Sequence, residues 1–139
     1  MGNMTLADLI LHFYDQMSSW EINLVHKSGV TLQQTHALVA IGEGNSVRMK
    51  DLASRLGITM GTGTVLVRRL LDQGLVQQTP NPQDARSHLL NLTVKGLKVV
   101  REHLIHHQAL GEEIVALLGK KDSRTLANLL EKIHEVFPH

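Results

Sequence analysis

The chain has no cysteine and few aromatic residues, and these shortages narrow what the protein can be. Without cysteine there is no disulfide and no thiolate metal site, which fits a reducing cytoplasm. Aromatic residues make up only 3% of the chain, so its core must be mainly aliphatic. No apolar run is long enough to cross a bilayer, and there is no signal-peptide pattern. We therefore predict one soluble, cytoplasmic domain over residues 1–139, without a membrane partner.

Charge is unevenly distributed along the chain, although the net charge is only +1. Residues 48–101 contain nine Lys or Arg against three Asp or Glu, a local charge of +6, whereas the remaining residues are acidic. A basic middle between acidic flanks indicates a surface for a polyanion. Chance clustering of charges on solvated faces is the alternative.

Two amphipathic helices are predicted in the first third of the chain. The first spans about residues 5–27, and Glu21 interrupts its apolar positions, which recur every three or four residues. The second begins after Thr31, where Gln34 completes a capping box. On this second helix we expect His36 to occupy an apolar position between Leu32 and Val39.

The middle of the chain predicts a helix-turn-helix followed by a β-hairpin. A short helix within residues 47–56 is joined through Gly57 to a second helix that Thr59 caps. Small residues in the first turns of this second helix would let DNA approach closely. Glycines inside a helix lower its stability, so they are unexpected if the helix only packs against the rest of the protein. The predicted hairpin, residues 75–79 and 88–92 around a long polar tip, would form a wing. The side chains that we expect to contact double-stranded DNA are Thr59, Thr62, Thr64, Arg68 and Arg86.

Two histidines interrupt the apolar side of the long helix predicted from Thr93 to Leu118. His103 and His107 are four residues apart, so their rings project from one face about one turn apart. Gly111 is a possible kink, and we expect a final helix to begin at Asp122 or Ser123.

Polar groups at apolar positions of three different helices can be explained together by one metal ion. A single histidine at such a position is more often a hydrogen-bonded core residue than a ligand. Four intrusions in one small domain are harder to explain separately, and coordination satisfies all of them. We predict a tetrahedral site that suits Zn²⁺ best, with Co²⁺ or Ni²⁺ as possible substitutes. Its ligands are Glu21, His36, His103 and His107.

The order of these elements resembles the MarR family of winged-helix transcriptional regulators over nearly the whole chain. The motifs that carry the resemblance are Leu52-Ala53-x-x-Leu56, Leu70-x-x-Gln73-Gly74-Leu75-Val76, Asp84-x-Arg86 and Leu92-Thr93. The resemblance implies a mainly α fold with a small β-wing, in which a winged helix-turn-helix at about 31–93 joins a helical dimerisation base at about 5–27 and 94–139. It also implies that the recognition helix enters the major groove and Arg86 the minor groove, with Asp84 supporting the wing. A surface ion pair of little value is the alternative for Asp84 and Arg86.

The histidine pattern is similar to that of the zinc-responsive branch of the family, the AdcR/ZitR type. This similarity implies the same four ligands and a homodimeric repressor of zinc-uptake genes that binds a palindromic operator with zinc as co-repressor. At the auxiliary metal site of that branch, Lys27 and Thr35 stand where Cys and Glu are expected, and only Glu102 matches. A second site is therefore doubtful.

An enzyme is the least favoured class. A metalloprotease helix has Glu directly after its first histidine, and here that residue is Leu104. Four protein ligands would also leave no position for a reactive water. We predict no catalytic residue and no small-molecule substrate. Two alternatives stay open, a MarR-type repressor released from DNA by a small aromatic ligand and a structural metal-binding protein.

Overall fold

The computed structural model describes residues 2–138, and this part of the chain is mainly helical with a small antiparallel sheet, as predicted. Its helices are α1 (Leu6–Val25), α2 (Leu32–Ile41), α3 (Met49–Leu56), α4 (Met60–Asp72), α5 (Val94–Leu118) and α6 (Lys120–Ile133). Its strands are β1 (Val47–Arg48), β2 (Val76–Pro80) and β3 (His88–Leu92), and a 3₁₀ turn covers His134–Val136.

Threonine side chains begin four of these helices, which explains why the predicted starts are accurate. Thr5 and Thr31 each accept a hydrogen bond from the backbone N–H three residues on, and Asp8 and Gln34 complete the two capping boxes. Thr59 caps α4 by accepting from the N–H of Thr62. Thr93 does the same for α5 through the N–H of Gly96 at 3.1 Å. These contacts satisfy backbone donors that a helix start otherwise leaves unpaired.

The predicted hairpin is present as β2 and β3, but the sheet has a third strand that the sequence did not predict. The strand order is β1-β3-β2, and Val47 of β1 pairs with Leu90 of β3. A strand of two residues is too short to show the alternation by which strands are recognised. β1 fixes the start of α3 beside the wing.

The buried core lies within the part of the chain that ends at His103, and it is aliphatic as expected. Its largest fully buried hydrophobic side chains are Leu38, Ile41, Leu52, Val67, Leu70, Leu75 and Leu90. The expectation that His36 lies on the buried side of α2 is wrong. Thr35, Leu38 and Ile41 are buried, whereas His36 and Val39 are exposed. Because polar and apolar residues are interspersed around α2, its sequence does not define which face is buried.

The chain divides into two compact units, one ending at His103 and one beginning at Leu104. α5 is a continuous helix through Gly111. The last helix begins at Lys120 rather than at Asp122 or Ser123, directly after Gly119 with its positive φ of 84°. None of the helices in residues 2–138 combines the length and apolar composition that crossing a membrane requires. The single-domain prediction for residues 1–139 stays a prediction.

Candidate metal centre and nucleic-acid interface

Three of the four predicted metal ligands come together in the first unit, each from a different helix. Glu21 is on α1, His36 on α2 and His103 on α5, and one ligand atom of each lies within 4.8 Å of the other two. Nε2 of His36 is 3.1 Å from Oε2 of Glu21. The rings of His36 and His103 meet edge to face, with 6.2 Å between their centroids.

This donor set fits a transition-metal ion such as Zn²⁺. Two atoms that each bind a tetrahedral ion at about 2.0–2.1 Å lie roughly 3.3 Å apart, close to the separation of His36 and Glu21. His103 is 6% exposed, whereas the side chains of Glu21 and His36 are 17% and 47% exposed. The cluster therefore has a buried side at His103 and a side at His36 that solvent reaches. When Nε2 of His36 carries a proton it donates to Glu21, so binding an ion there requires loss of that proton.

His107, the fourth predicted ligand, belongs to the second unit, four residues further along α5 and half-buried. Its place in the site stays a prediction. Glu102, the remaining candidate of an auxiliary site, is exposed on α5.

The recognition helix α4 has one buried and one exposed face. Gly63, Leu66, Val67 and Leu70 are buried, whereas Thr62, Val65, Arg68 and Arg69 are exposed. Thr59 and Thr64 are exposed too, but their hydroxyls already form local hydrogen bonds, Thr59 to Thr62 at 3.1 Å and Thr64 to the Met60 carbonyl at 2.8 Å. Among residues 2–138, no ion pair engages Arg68, so its charge is available to a ligand.

The two glycines of α4 have different explanations. A Cβ on Gly63 would lie 3.4 Å from the Cβ of Ala53 and 3.5 Å from the sulfur of Met49, so close packing of α3 on α4 explains Gly63. A Cβ on Gly61 would meet nothing within 4 Å. Of the two glycines of α4, Gly61 is therefore the one at which the backbone of a bound partner could come close.

Asp84 organises the wing through the backbone. Its Oδ1 accepts the N–H of Arg86 at 3.0 Å, and its own N–H donates to the Asn81 carbonyl at 3.2 Å. These contacts set the course of the chain at Arg86. The prediction that Asp84 supports Arg86 has this geometric basis, whereas the DNA contact of Arg86 stays a prediction.

A groove of about 400 Å³ separates the wing from the start of α3 and α4, and sequence reasoning missed part of its lining. Besides Arg86, it is lined by Lys50, Met60, Gln78 and His88. Lys50 contributed to the local positive charge, but nothing in the sequence placed it opposite the wing. Arg48 also lines the groove, where the hydrogen bond to the Asp51 carboxylate raises the pKa of the Arg48 guanidinium and lowers the pKa of Asp51.

Comparison with known proteins places this geometry in a family. The family model described as MarR family matches residues 28–87. The multiple antibiotic resistance protein MarR of Salmonella typhimurium is 30% identical over 112 residues, which cover 80% of this chain and 78% of that protein. The crystal structure of apo MarR from E. coli is 26% identical, with a TM-score of 0.76, and the alignment covers 94% of this chain and 96% of that one. The structure of Streptococcus pneumoniae FabT in complex with DNA is 24% identical, with a TM-score of 0.77 and coverage of 93% and 94%. The chain therefore belongs to the MarR family of winged-helix transcriptional regulators.

Proposed function

We propose that this chain is a homodimeric DNA-binding repressor whose affinity for its operator depends on a transition-metal ion, with zinc as co-repressor. The observation that carries the proposal is the meeting of Glu21, His36 and His103 from three helices. Regulation of zinc-uptake genes and a palindromic operator belong to the same proposal. The relative from Salmonella typhimurium is a resistance protein by name, and the proposal includes no catalytic activity.

The donor chemistry of the cluster supports a metal ion over an ordinary hydrogen-bonded pair. Glu21 and His36 alone would be a partly exposed pair of small value. His103 adds a buried imidazole that faces the same point, and neutral imidazoles with one carboxylate are ligands that Zn²⁺ accepts. Co²⁺ and Ni²⁺ share this preference. His107 would complete a four-ligand site. A bound ion would supply a fixed positive charge, and it would accept a lone pair from each of Glu21, His36 and His103 at once.

The groove and α4 support DNA as the partner. Lys50, Arg86 and Arg68 supply positive charge around the exposed face of α4, and phosphate contacts of this kind provide most of a protein's general affinity for DNA. Thr62 and Arg68 would read base edges in the major groove, with Thr59 and Thr64 beside them, and Arg86 would enter the minor groove. FabT, a protein of the same fold, has been crystallised with DNA.

Exposed apolar surface on the flanking helices supports a homodimer. On α1, Leu11, Phe13 and Tyr14 are 62%, 53% and 66% exposed. In the second unit, Leu129 and Phe137 are 48% and 61% exposed. Surfaces of this apolar character mark sites of association. A two-fold dimer would present two recognition helices to half-sites about 34–36 Å apart.

The helices that hold the ligands also position the DNA-reading elements. α2 packs into the core through Leu38 and Ile41, and α5 begins directly after the wing strand β3. Ligation of Glu21, His36 and His103 together would restrict the relative movement of α1, α2 and α5. Zinc would then favour DNA binding to the extent that it binds the DNA-competent arrangement more tightly, a coupling of typically about 1–3 kcal/mol.

Titration of metal-free protein with Zn²⁺, with and without operator DNA, tests the proposal. We expect tight zinc binding that raises DNA affinity by about 5–150-fold. His103→Ala should lose both effects, and His107→Ala tests the fourth ligand. His106→Ala is the matched control, because His106 is exposed on the same helix. Arg68→Ala should bind zinc like the parent and DNA more weakly.

The outcomes separate the alternatives. Zinc binding that leaves DNA affinity unchanged would identify a structural ion. If the protein does not bind zinc, the remaining candidate is a repressor that a small ligand controls. One observation favours that candidate. A cavity of about 320 Å³ adjoins His36 and is also lined by Leu32, Leu56 and Ile58, within the usual size range of ligand sites. In that case a small aromatic ligand should release the protein from DNA.

A further inference from the structure

The first turn of α5 is fastened directly to the end of the recognition helix. The Thr93 hydroxyl donates to the Gly74 carbonyl at 2.6 Å, and the Thr93 N–H donates to the Leu75 carbonyl at 3.1 Å. The Lys95 ammonium donates to the Gln73 carbonyl at 2.9 Å. These three carbonyls are consecutive and follow the last residue of α4. We refer to residues 73–75 with 93–96 as the α4–α5 clamp.

Gly96 makes the clamp a contact between two backbones. A Cβ on Gly96 would lie only 2.0 Å from the Leu75 carbonyl oxygen and 3.0 Å from its carbon. Any side chain there would force the helix away from residue 75. α5 and the chain leaving α4 therefore approach as closely as two backbones can, without side chains that could repack between them.

The same helix carries His103, seven residues after Gly96. At about 1.5 Å of rise per residue, the buried imidazole lies roughly 10 Å along the helix axis from the clamp. Both positions fall within one uninterrupted stretch of helix in the first unit. A change in the position or tilt of α5 at His103 therefore reaches the clamp with little loss over two helical turns.

The second connection between the ligands and the helix-turn-helix is of a different kind. His36 lies on α2, which meets the core through Ala37, Leu38 and Ile41. One hydrogen bond, from the Arg55 guanidinium of α3 to the Ala40 carbonyl at 2.9 Å, also joins α2 to the helix-turn-helix. Apolar contacts of this sort have no preferred direction and can slide or repack. The clamp combines three hydrogen bonds with a contact between two backbones, whereas α2 is hydrogen-bonded to α3 through one long, flexible side chain. The clamp therefore transmits orientation more strictly than the α2 contacts do.

We propose that Thr93, Lys95 and Gly96 are positioning residues that couple His103 on α5 to the orientation of the recognition helix. This inference rests on the proposed metal response. Thr93 and Lys95 are not part of the ligand cluster, and they are not among the side chains that we expect to contact DNA. Their ordinary role as helix-capping groups also contributes to stability, because Lys95 places a positive charge at the C-terminal end of α4. The test must therefore distinguish coupling from stability.

The experiment compares the zinc-induced gain in DNA affinity between the full-length parent and a Thr93→Val/Lys95→Met variant. We expect the variant to bind zinc with the affinity of the parent, while the zinc-induced gain in DNA affinity falls to less than about twofold. Hydrogen exchange of the α4 amides supplies a readout other than DNA binding. Addition of zinc should slow it in the parent and leave it unchanged in the variant.

The conservative variant Thr93→Ser/Lys95→Arg keeps a hydroxyl and a cation and should restore both responses. Lys95→Met alone alters only an exposed side chain, so it keeps the test available if the double variant does not fold, and it should lower the gain in part. A parent that gains affinity with zinc and variants that gain equally would overturn the clamp as the coupling element. A parent without any zinc effect would remove the metal response and this inference together.

Discussion

Helices α1 and α4 both have an apolar face in the sequence, but only α4 buries that face within its own chain. Leu66, Val67 and Leu70 of α4 are 5%, 1% and 0% exposed. Of the twenty residues of α1 only Val25 is buried, and Leu6 is 74% exposed. The apolar side of α4 therefore helps to hold the DNA-reading lobe together. Most of the apolar side of α1 is exposed and remains available to a partner surface.

The difference shows what amphipathic periodicity does and does not specify. A repeat of three and four residues indicates that a helix has an interface, and it does not identify the partner. The α4 partner is supplied by α3 and the sheet, close by in sequence. For α1 we propose a second copy of the chain. Glu21 lies towards the end of α1 that packs against α2, beside His36.

The largest expected effect comes from the buried face of α4. Val67→Ala should lower the free energy of unfolding by about 1.5–3 kcal/mol, because two methyl groups are lost and a cavity remains. Val65→Ala, the same exchange at a position that is 55% exposed, is the matched control and should change it by less than about 0.5 kcal/mol. Urea denaturation at one protein concentration measures both. Equal losses would contradict the assignment of the two faces.

A smaller effect, of another kind, is expected on α1. Phe13→Ala should weaken self-association about fivefold or more, which corresponds to roughly 1 kcal/mol for an aromatic residue in an interface. His12→Ala, the neighbouring exposed position, should leave association unchanged. Sedimentation equilibrium distinguishes the two variants. If Phe13→Ala left the dimer intact and destabilised the isolated chain instead, the exposed face of α1 would need a partner within the chain.

The smallest effect concerns the capping box that begins α1. Hydrogen bonds from the backbone and side chain of Thr5 lower the pKa of the Asp8 carboxyl below its ordinary value of 3.8. Because the folded pKa is the lower one, the stabilising contribution is complete above that ordinary value and is lost as the pH falls through the folded pKa.

The thermal midpoints of the parent and Asp8→Asn, followed from neutral pH to about pH 2, measure this contribution. The parent should be slightly more stable at neutral pH, and the difference should disappear in acid. Since Asp8 is at the solvent-exposed start of a helix, the difference should also shrink in high salt. A difference that grew in acid would contradict the capping role.

Local patterns account for most of what the sequence predicted about the fold. The threonines that begin α1, α2, α4 and α5 act on backbone groups three residues away, so no distant information is required. The glycines after α3 and α4, at positions 57 and 74, adopt positive φ of 66° and 69° and end those helices as their residue type suggests. β1 was missed because its two residues become a strand only when β3 lies beside them.

The candidate site was only partly predictable for a related reason. Residue type and spacing singled out Glu21, His36 and His103, and the structure brings these three together. A position on an apolar face predicted burial correctly for His103 but wrongly for His36, which is exposed and yet within reach of Glu21. Lys50 and His88 line the groove because the wing folds over α3, and the sequence does not show that arrangement.

By itself the sequence determined the starts of α1, α2, α4 and α5, the hairpin and the types of ligand available, because caps, turns and donor atoms depend on neighbours within a few residues. The tertiary structure alone decided which face of α2 is buried, which donors meet, and that Gly96 touches residue 75. Such contacts join residues that are distant in the chain, and their free energies depend on the shape of the whole fold. The helical period of the sequence does not specify that shape. Close packing of the side chains in the interior then selects one arrangement.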